Sequence, residues 1–200
     1  MPRISCKICR REGMSLCGRE KCAYKRRPYA PGVHGPTGRS RPTDYGKQLR
    51  EKQKAKRLYG MGERQFRNLF EAATKKRGNT GEMLVVALET RLDNAVFRAG
   101  FAKNRAAARQ LVSHAHFDVN GHKVNIPSYV VRSGDIIRVR DTKRNKGPWK
   151  NLSESMKTYQ PVSWIAVDAK EMAAKITGKP TGEELKQPFD PRMIVEFYSR

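Results

Sequence analysis

The sequence predicts an α+β fold: an irregular, cysteine-pinned N-terminal extension, then a basic helical domain, then a module of helix and antiparallel sheet. Three observations carry this. All four cysteines fall between Cys6 and Cys22, ahead of a segment too rich in proline and glycine to build its own core. Helical periodicity then runs from Asp44 to Gly100. Beyond it the apolar period changes to two around Asn120–Gly121, the dipeptide that most strongly marks a hairpin. The chain accordingly divides into residues 1–45 (cysteine knot and extension), 46–90 (helical domain), 91–141 (the mixed module) and 142–200 (a connector and a C-terminal α/β segment packing on the body).

In "DYGKQLREKQKAKRLYG", Thr43 is placed to cap a helix and Gly60 to stop it. Its sides are mostly Lys, Arg and Gln, so it is expected to lie against a polyanion. "ERQFRNLFEAATKKRG" puts Phe66, Leu69, Phe70 and Ala73 on one buried stripe and ends in a basic turn before Gly78. A third helix over 81–99 buries Leu84, Ala87, Leu88, Leu92 and Val96 and stops at Gly100. "NRAAARQLVSHA" forms a helix capped by Asn104, with Ala107 and Leu111 inward. "HFDVNGHKV" is the hairpin, and "YVVRSGDIIRVRD" supplies another strand pair around Ser133–Gly134. Residues 141–150 read as a polar connector. After it come a short helix near 152–159, a strand at Trp164–Val167, a helix from Asp168 and a final strand, "MIVEFY".

Charge narrows the partners. The chain carries 42 Lys+Arg against 19 Asp+Glu, a net +23. Residues 1–60 hold 17 basic and 4 acidic side chains and residues 92–150 hold 12 and 4, whereas 151–200 hold 7 and 7. Charge concentrated in blocks, with no bulky apolar face beside it, points to nucleic acid rather than a membrane. The longest apolar runs, "MLVVAL" and "SWIAV", fall far short of a span. The start has no apolar signal core, so a cytoplasmic location is expected, where persistent disulfides are disfavoured.

Cys6 and Cys9 are spaced C-x2-C, and Cys17 and Cys22 C-x4-C. Two such pairs can close a tetrahedral shell around one structural Zn²⁺, with no open position for catalysis. Disulfides and redox chemistry are the alternatives. Lys7, Arg10, Arg11, Arg19 and Lys21 would offset the formal −2 that four thiolates leave on zinc. His34, His114, His116 and His122 lack accompanying ligands, and Asp93 in "RLDN" is expected to cap or pair with an arginine. No Walker-type loop or nucleophile motif is present, so no enzyme is expected. Lys103, Arg105 and Arg109 at a helix N-terminus instead suit phosphate.

Six segments carry a resemblance. "RRPYAPGVHG", "DYGKQLREKQKAKRLYG", "ERQFRNLF", "RLDNAVFRAGF", "ARQLVSHAHFDVNGHKVNIPSY" and "EFYSR" together resemble, in order, the bacterial small-subunit ribosomal protein S-four family in its zinc-binding four-cysteine form. The resemblance implies that residues 91–141 are the RNA-binding module named after that family. It implies a primary small-subunit rRNA binder that nucleates assembly of the 5′ domain. It also implies contact with the third and fifth small-subunit proteins, and a place beside the channel where mRNA enters, bearing on translational accuracy. Arg39, Arg41 and Lys47 match the channel-lining positions, and Cys6, Cys9, Cys17 and Cys22 the zinc ligands. With the charge pattern, the candidate RNA-binding residues are Arg10, Arg11, Arg26, Arg27, His34, Arg39, Arg41, Lys47, Arg50, Lys54, Arg57, Arg67, Lys103, Arg105, Arg109 and Lys123. An RNA-modifying enzyme such as a pseudouridine synthase could use the same module, but too little chain follows Asp141 for its catalytic domain. A zinc-dependent transcription regulator would need a recognition helix on the zinc unit, where this chain has prolines and glycines.

Overall fold

The computed structural model describes residues 4–37, 41–144, 147–149 and 159–200. Its chain forms two compact units, Met1–Leu84 with Gln187–Arg200, and Val85–Lys186.

In the first unit, α1 (Cys6–Glu12) ends at Gly13, whose φ of 66° lets the Met14 N–H turn back onto the Cys9 carbonyl at 3.1 Å. The one-turn α2 (Ala23–Arg26) follows the second cysteine pair. Between them Cys9, Leu16 and Cys22 are buried, flanked by Ile4, Ile8, Met14, Tyr24 and Leu58. That core is too small to hold so polar a segment by itself.

Thr43 caps α3 (Asp44–Leu58) as the sequence suggests, its Oγ1 accepting from Gly46 N at 3.2 Å, and Gly60 turns the chain with φ 60°. One face of α3 is not solvated, however. Gln48, Lys52 and Ala55 are buried, and the helix lies along the C-terminal helix Pro191–Tyr198. Gln48 donates to Glu196 at 2.8 Å, while Lys52 Nζ sits 4.5 Å from the Phe197 ring centroid and donates to Glu63 at 2.5 Å. On α4 (Glu63–Thr74), Phe66, Phe70 and Ala73 are buried, and Phe70 stacks on Tyr198 with centroids 4.5 Å apart.

"MIVEFY" is therefore helix, not strand. Its β-branched and aromatic residues favour a strand locally. But Asp190 accepts from Arg192 N at 2.9 Å, Pro191 opens the first turn, and Ile194, Phe197 and Tyr198 fall at helical spacing.

The predicted 81–99 helix is broken. α5 (Thr80–Glu89) and α6 (Leu92–Arg98) are separated by Thr90 and an extended Arg91. The N-terminal N–H groups of α6 are taken by a loop: Leu92 donates to Tyr129 O at 2.8 Å and Asp93 to Pro127 O at 3.2 Å. In α7 (Arg105–Ser113), Asn104 Oδ1 accepts from Ala107 N at 2.8 Å, as its cap position requires. Ala108 and Val112 are the buried pair, one position along from the expected Ala107 and Leu111.

β1 (Phe117–Val119) and β2 (His122–Val124) form the expected hairpin, with Val119 opposite His122 and positive φ at both Asn120 and Gly121. The second expected strand pair does not form. Val130 makes only an isolated bridge to Arg91, while β3 (Ile136–Val139) pairs with β1 and with a later strand. The one-turn α8 (Asp141–Arg144) follows. β4 (Ile165–Asp168) and β5 (Ala173–Ile176) complete an antiparallel sheet of order β2-β1-β3-β5-β4. The helix expected from Asp168 is absent because Asp168 Oδ1 accepts from Lys170 N and Glu171 N at 2.8 and 3.2 Å, closing a turn into β5. The helix expected near 152–159 falls, but for Tyr159, outside the described residues. Leu92, Val96, Val112, Phe117, Ile137, Trp149, Trp164 and Ile176 form the core of this unit. Pro191–Tyr198 is the ninth described helix in chain order, α9.

Candidate nucleic-acid interface and cysteine site

The fold of α1 brings distant thiols together. Cys6, Cys17 and Cys22 offer Sγ atoms all within 4.8 Å of one another, and Cys9 is fully buried within hydrogen-bonding reach of Cys17 and Cys22. All four are free thiols. Thiolates on one tetrahedral zinc stand about 3.8 Å apart, given Zn–S bonds of about 2.3 Å, so this donor set fits such an ion. Burial pushes the Cys9 thiol up to about 12, and neighbouring sulfurs add to the rise. Burial also acts on Cys22, but hydrogen bonds from Ser15, the Tyr24 backbone and Cys17 bring it down to about 7. The set therefore contains a thiol that ionises near neutrality beside one that resists it. A cation is what would let all four ionise together.

Around this cluster the predicted basic residues behave differently. Arg11, Arg26, Arg27, His34 and Arg41 are exposed and have no ion pair among the described residues. Arg10 instead braces the chain: its Nε and Nη2 donate to Tyr29 O and Ala30 O at 3.1 and 3.2 Å, and its guanidinium lies 4.7 Å from the Tyr29 ring centroid. Arg39 lies outside the described residues.

Along α3 and α4 the cations have partners close in sequence. Lys47 pairs with Asp44 at 2.9 Å, Lys54 with Glu51 at 2.5 Å and Arg67 with Glu71 at 3.0 Å. The first and last of these are exposed, where such pairs are weak, whereas Lys54 and Glu51 are mostly buried. Arg50 and Arg57 are held differently, by Glu12 of α1. Lys75, Lys76 and Arg77 form a further exposed basic cluster after α4, without ion pairs among the described residues. In the sequence this run stands only as the basic end of a helix.

In the second unit, Lys103 and Lys123 are exposed and without ion pairs among the described residues. Arg105 and Arg109 share a polar network built on two buried acids. Glu89, 1% exposed, accepts from Arg98 through both oxygens at 2.9 Å and from Asn94 at 2.8 Å. Asn94 Oδ1 in turn accepts from Arg105 Nε at 2.8 Å. Asp93 takes a two-pronged contact from Arg91 and a third donor from Arg109 at 3.2 Å, the arginine pairing expected from "RLDN". These arginines are fixed in direction rather than free on a helix face. His116 is a core residue, its Nδ1 accepting from Trp149 Nε1 at 3.1 Å.

The arrangement is a folded basic surface, and comparisons with known proteins say what kind. Residues 2–89 match the family profile described as "Ribosomal protein S4/S9 N-terminal domain", and residues 90–137 match "S4 domain". The "Small ribosomal subunit protein uS4" of Syntrophomonas wolfei is 48% identical over 98% of this chain and 96% of its own length. Those of Thermus thermophilus and Thermodesulfovibrio yellowstonii are 48% and 51% identical over the same shares. The chain belongs to the uS4 family. The expected resemblance is thereby borne out at the level of the family, and the fold is the α+β arrangement anticipated. Among the described residues no helix is long and apolar enough to cross a membrane.

Sequence reasoning missed two of the three acids that organise these cations, Glu12 and Glu89. Neither stands in a recognisable motif, whereas Asp93 in "RLDN" is expected to cap or pair with an arginine. The signal available for both is placement, since Glu12 and Glu89 are the last residues of α1 and α5.

Proposed function

We propose that this chain is a structural constituent of the small ribosomal subunit that binds its rRNA, acting through multivalent charge contact rather than catalysis. The observation that carries the reading is full-length identity near 50% to small ribosomal subunit proteins uS4. The exposed, unpaired cations of the extension and module support it. In this reading the extension of residues 1–45, the helical domain of 46–90 and the module of 91–141 each grip a different rRNA helix, while residues 142–200 complete the body. It nucleates assembly of the 5′ domain in the cytoplasm, beside the third and fifth small-subunit proteins. Arg39, Arg41 and Lys47 then border the channel where mRNA enters. Cys6, Cys9, Cys17 and Cys22 hold one Zn²⁺, which supplies closure of the extension and no chemistry on RNA.

Multivalent contact has a measurable signature. If about ten phosphates are engaged, filter binding to a small-subunit rRNA fragment gives log affinity falling with log salt at a slope of about −7 to −9. A slope near −2, or failure of the protein to sediment with small subunits from lysate, would overturn the reading.

A further inference from the structure

The cation pair Arg50 and Arg57 is oriented from outside its own helix. The two residues are seven apart on α3, hence two turns along one side. Both direct Nη1 at the same oxygen, Oε1 of Glu12, Arg50 from 3.4 Å. The Glu12 side chain is fully buried, whereas Arg50 and Arg57 remain 41% and 28% exposed. One end of each guanidinium is thus anchored behind while other donors of its fork face outward.

Stability alone accounts poorly for this acid. Its Oε2 is buried with no hydrogen-bond partner among the described residues, which leaves part of its desolvation cost uncompensated. It also closes α1, where a negative charge opposes the helix dipole. And it lies three residues after Cys9, so the backbone that carries it is fixed by the cysteine cluster.

We propose that Glu12 is a positioning residue for RNA binding: it aims the Arg50 and Arg57 guanidiniums so that the cysteine-held extension and α3 present one rigid phosphate-binding edge. The proposal rests on the reading that α3 faces rRNA. Through Glu12, the extension shapes the grip of a helix whose sequence lies beyond it, in addition to bringing its own charges.

The test turns on sign. Glu12→Gln removes a negative charge, so charge alone makes binding to any RNA tighter. Positioning makes binding to structured rRNA weaker, by about tenfold for the loss of charged hydrogen bonds, while affinity for poly(U) stays level or rises. Glu12→Asp keeps the charge, withdraws it by one methylene, and is expected to weaken rRNA binding alone by a smaller factor. Thermal unfolding of each variant checks that it folds, and Glu12→Asp carries the test if Glu12→Gln does not. Unchanged or tighter rRNA binding in the folded Glu12 variants, with loss in the Arg50→Ala/Arg57→Ala double variant, overturns the positioning role alone. Full rRNA affinity in the double arginine variant overturns the reading of α3 beneath it.

Discussion

The extension and the module both present arginine and lysine to the outside, but they are held by opposite means. The module shares with the rest of the second unit a broad apolar core in which Phe117, Ile137 and Trp149 are essentially inaccessible to water. The extension buries Cys9, Leu16 and Cys22 and little else. With the proposed closure of the four thiols on a metal, such a segment need not devote its sequence to Leu, Val and Phe, which leaves positions open to charge. The module's cations must share space with a packed core. Several of the module's arginines sit on buried acids that fix their direction, as Glu89 does for Arg98. One region is rich in loose charge and the other in aimed charge.

The largest expected effect separates the two regions outright. Chelation, or Cys17→Ser, should release about one zinc per chain by elemental analysis and leave the extension without a fold, since structural zinc supplies most of the folding free energy of such small units. Trypsin should then cut between Lys7 and Arg27 while Val85–Lys186 stays resistant. An extension equally resistant with and without metal would erase the contrast. Next in size is Trp149→Ala in the second unit. It removes a fully buried indole and should cost about 3–5 kcal/mol in urea unfolding, with metal content unchanged.

The smallest effect concerns the helical part between them. Burial raises the Glu63 carboxyl, but hydrogen bonds from Lys52 and Lys56 outweigh it and hold the group below its usual range. A depressed acid contributes stability above its unfolded value, and loses it as pH falls through the folded one. Tyr198 is shifted the other way, pushed above its ordinary 10.0 by burial and then by the Glu63 charge. Its contribution is present below that value and lost as pH rises beyond it. Urea midpoints measured across pH should therefore decline at both ends, and Glu63→Gln should flatten the acid limb. The change should stay below about 1 kcal/mol, because Glu63 is half exposed. An unaltered acid limb would mean that the lysine contacts contribute nothing.

What could be read from the sequence was whatever local chemistry decides. The Thr43 and Asn104 caps, the Asn120–Gly121 turn, the Phe66/Phe70 stripe and the meeting of the cysteines all depend on residues near one another in the chain. What could not be read depends on partners far away. "MIVEFY" has strand-forming residues, and the face of α3 that it covers, with Gln48 and Lys52, looks solvated until the helix against it is known. "DAKEMAAKI" has helix-forming residues, but β3 offers an edge to pair with, and Asp168 closes the turn that delivers β5 to it. The charged surface showed the same division. Its positive residues could be counted, but of the carboxylates that aim them only Asp93 could be matched to an arginine; Glu12 and Glu89 could not.

The seating of α9 on α3 has a consequence for timing. α3 is synthesised early, yet the helix that covers Gln48, Lys52 and Ala55 follows the whole of Val85–Lys186. At ordinary elongation rates that interval is roughly 5 to 20 s. During it the second unit can fold while the first stands open, its buried lysine still in water. The basic unit nearest the start of the chain is thus the last to close.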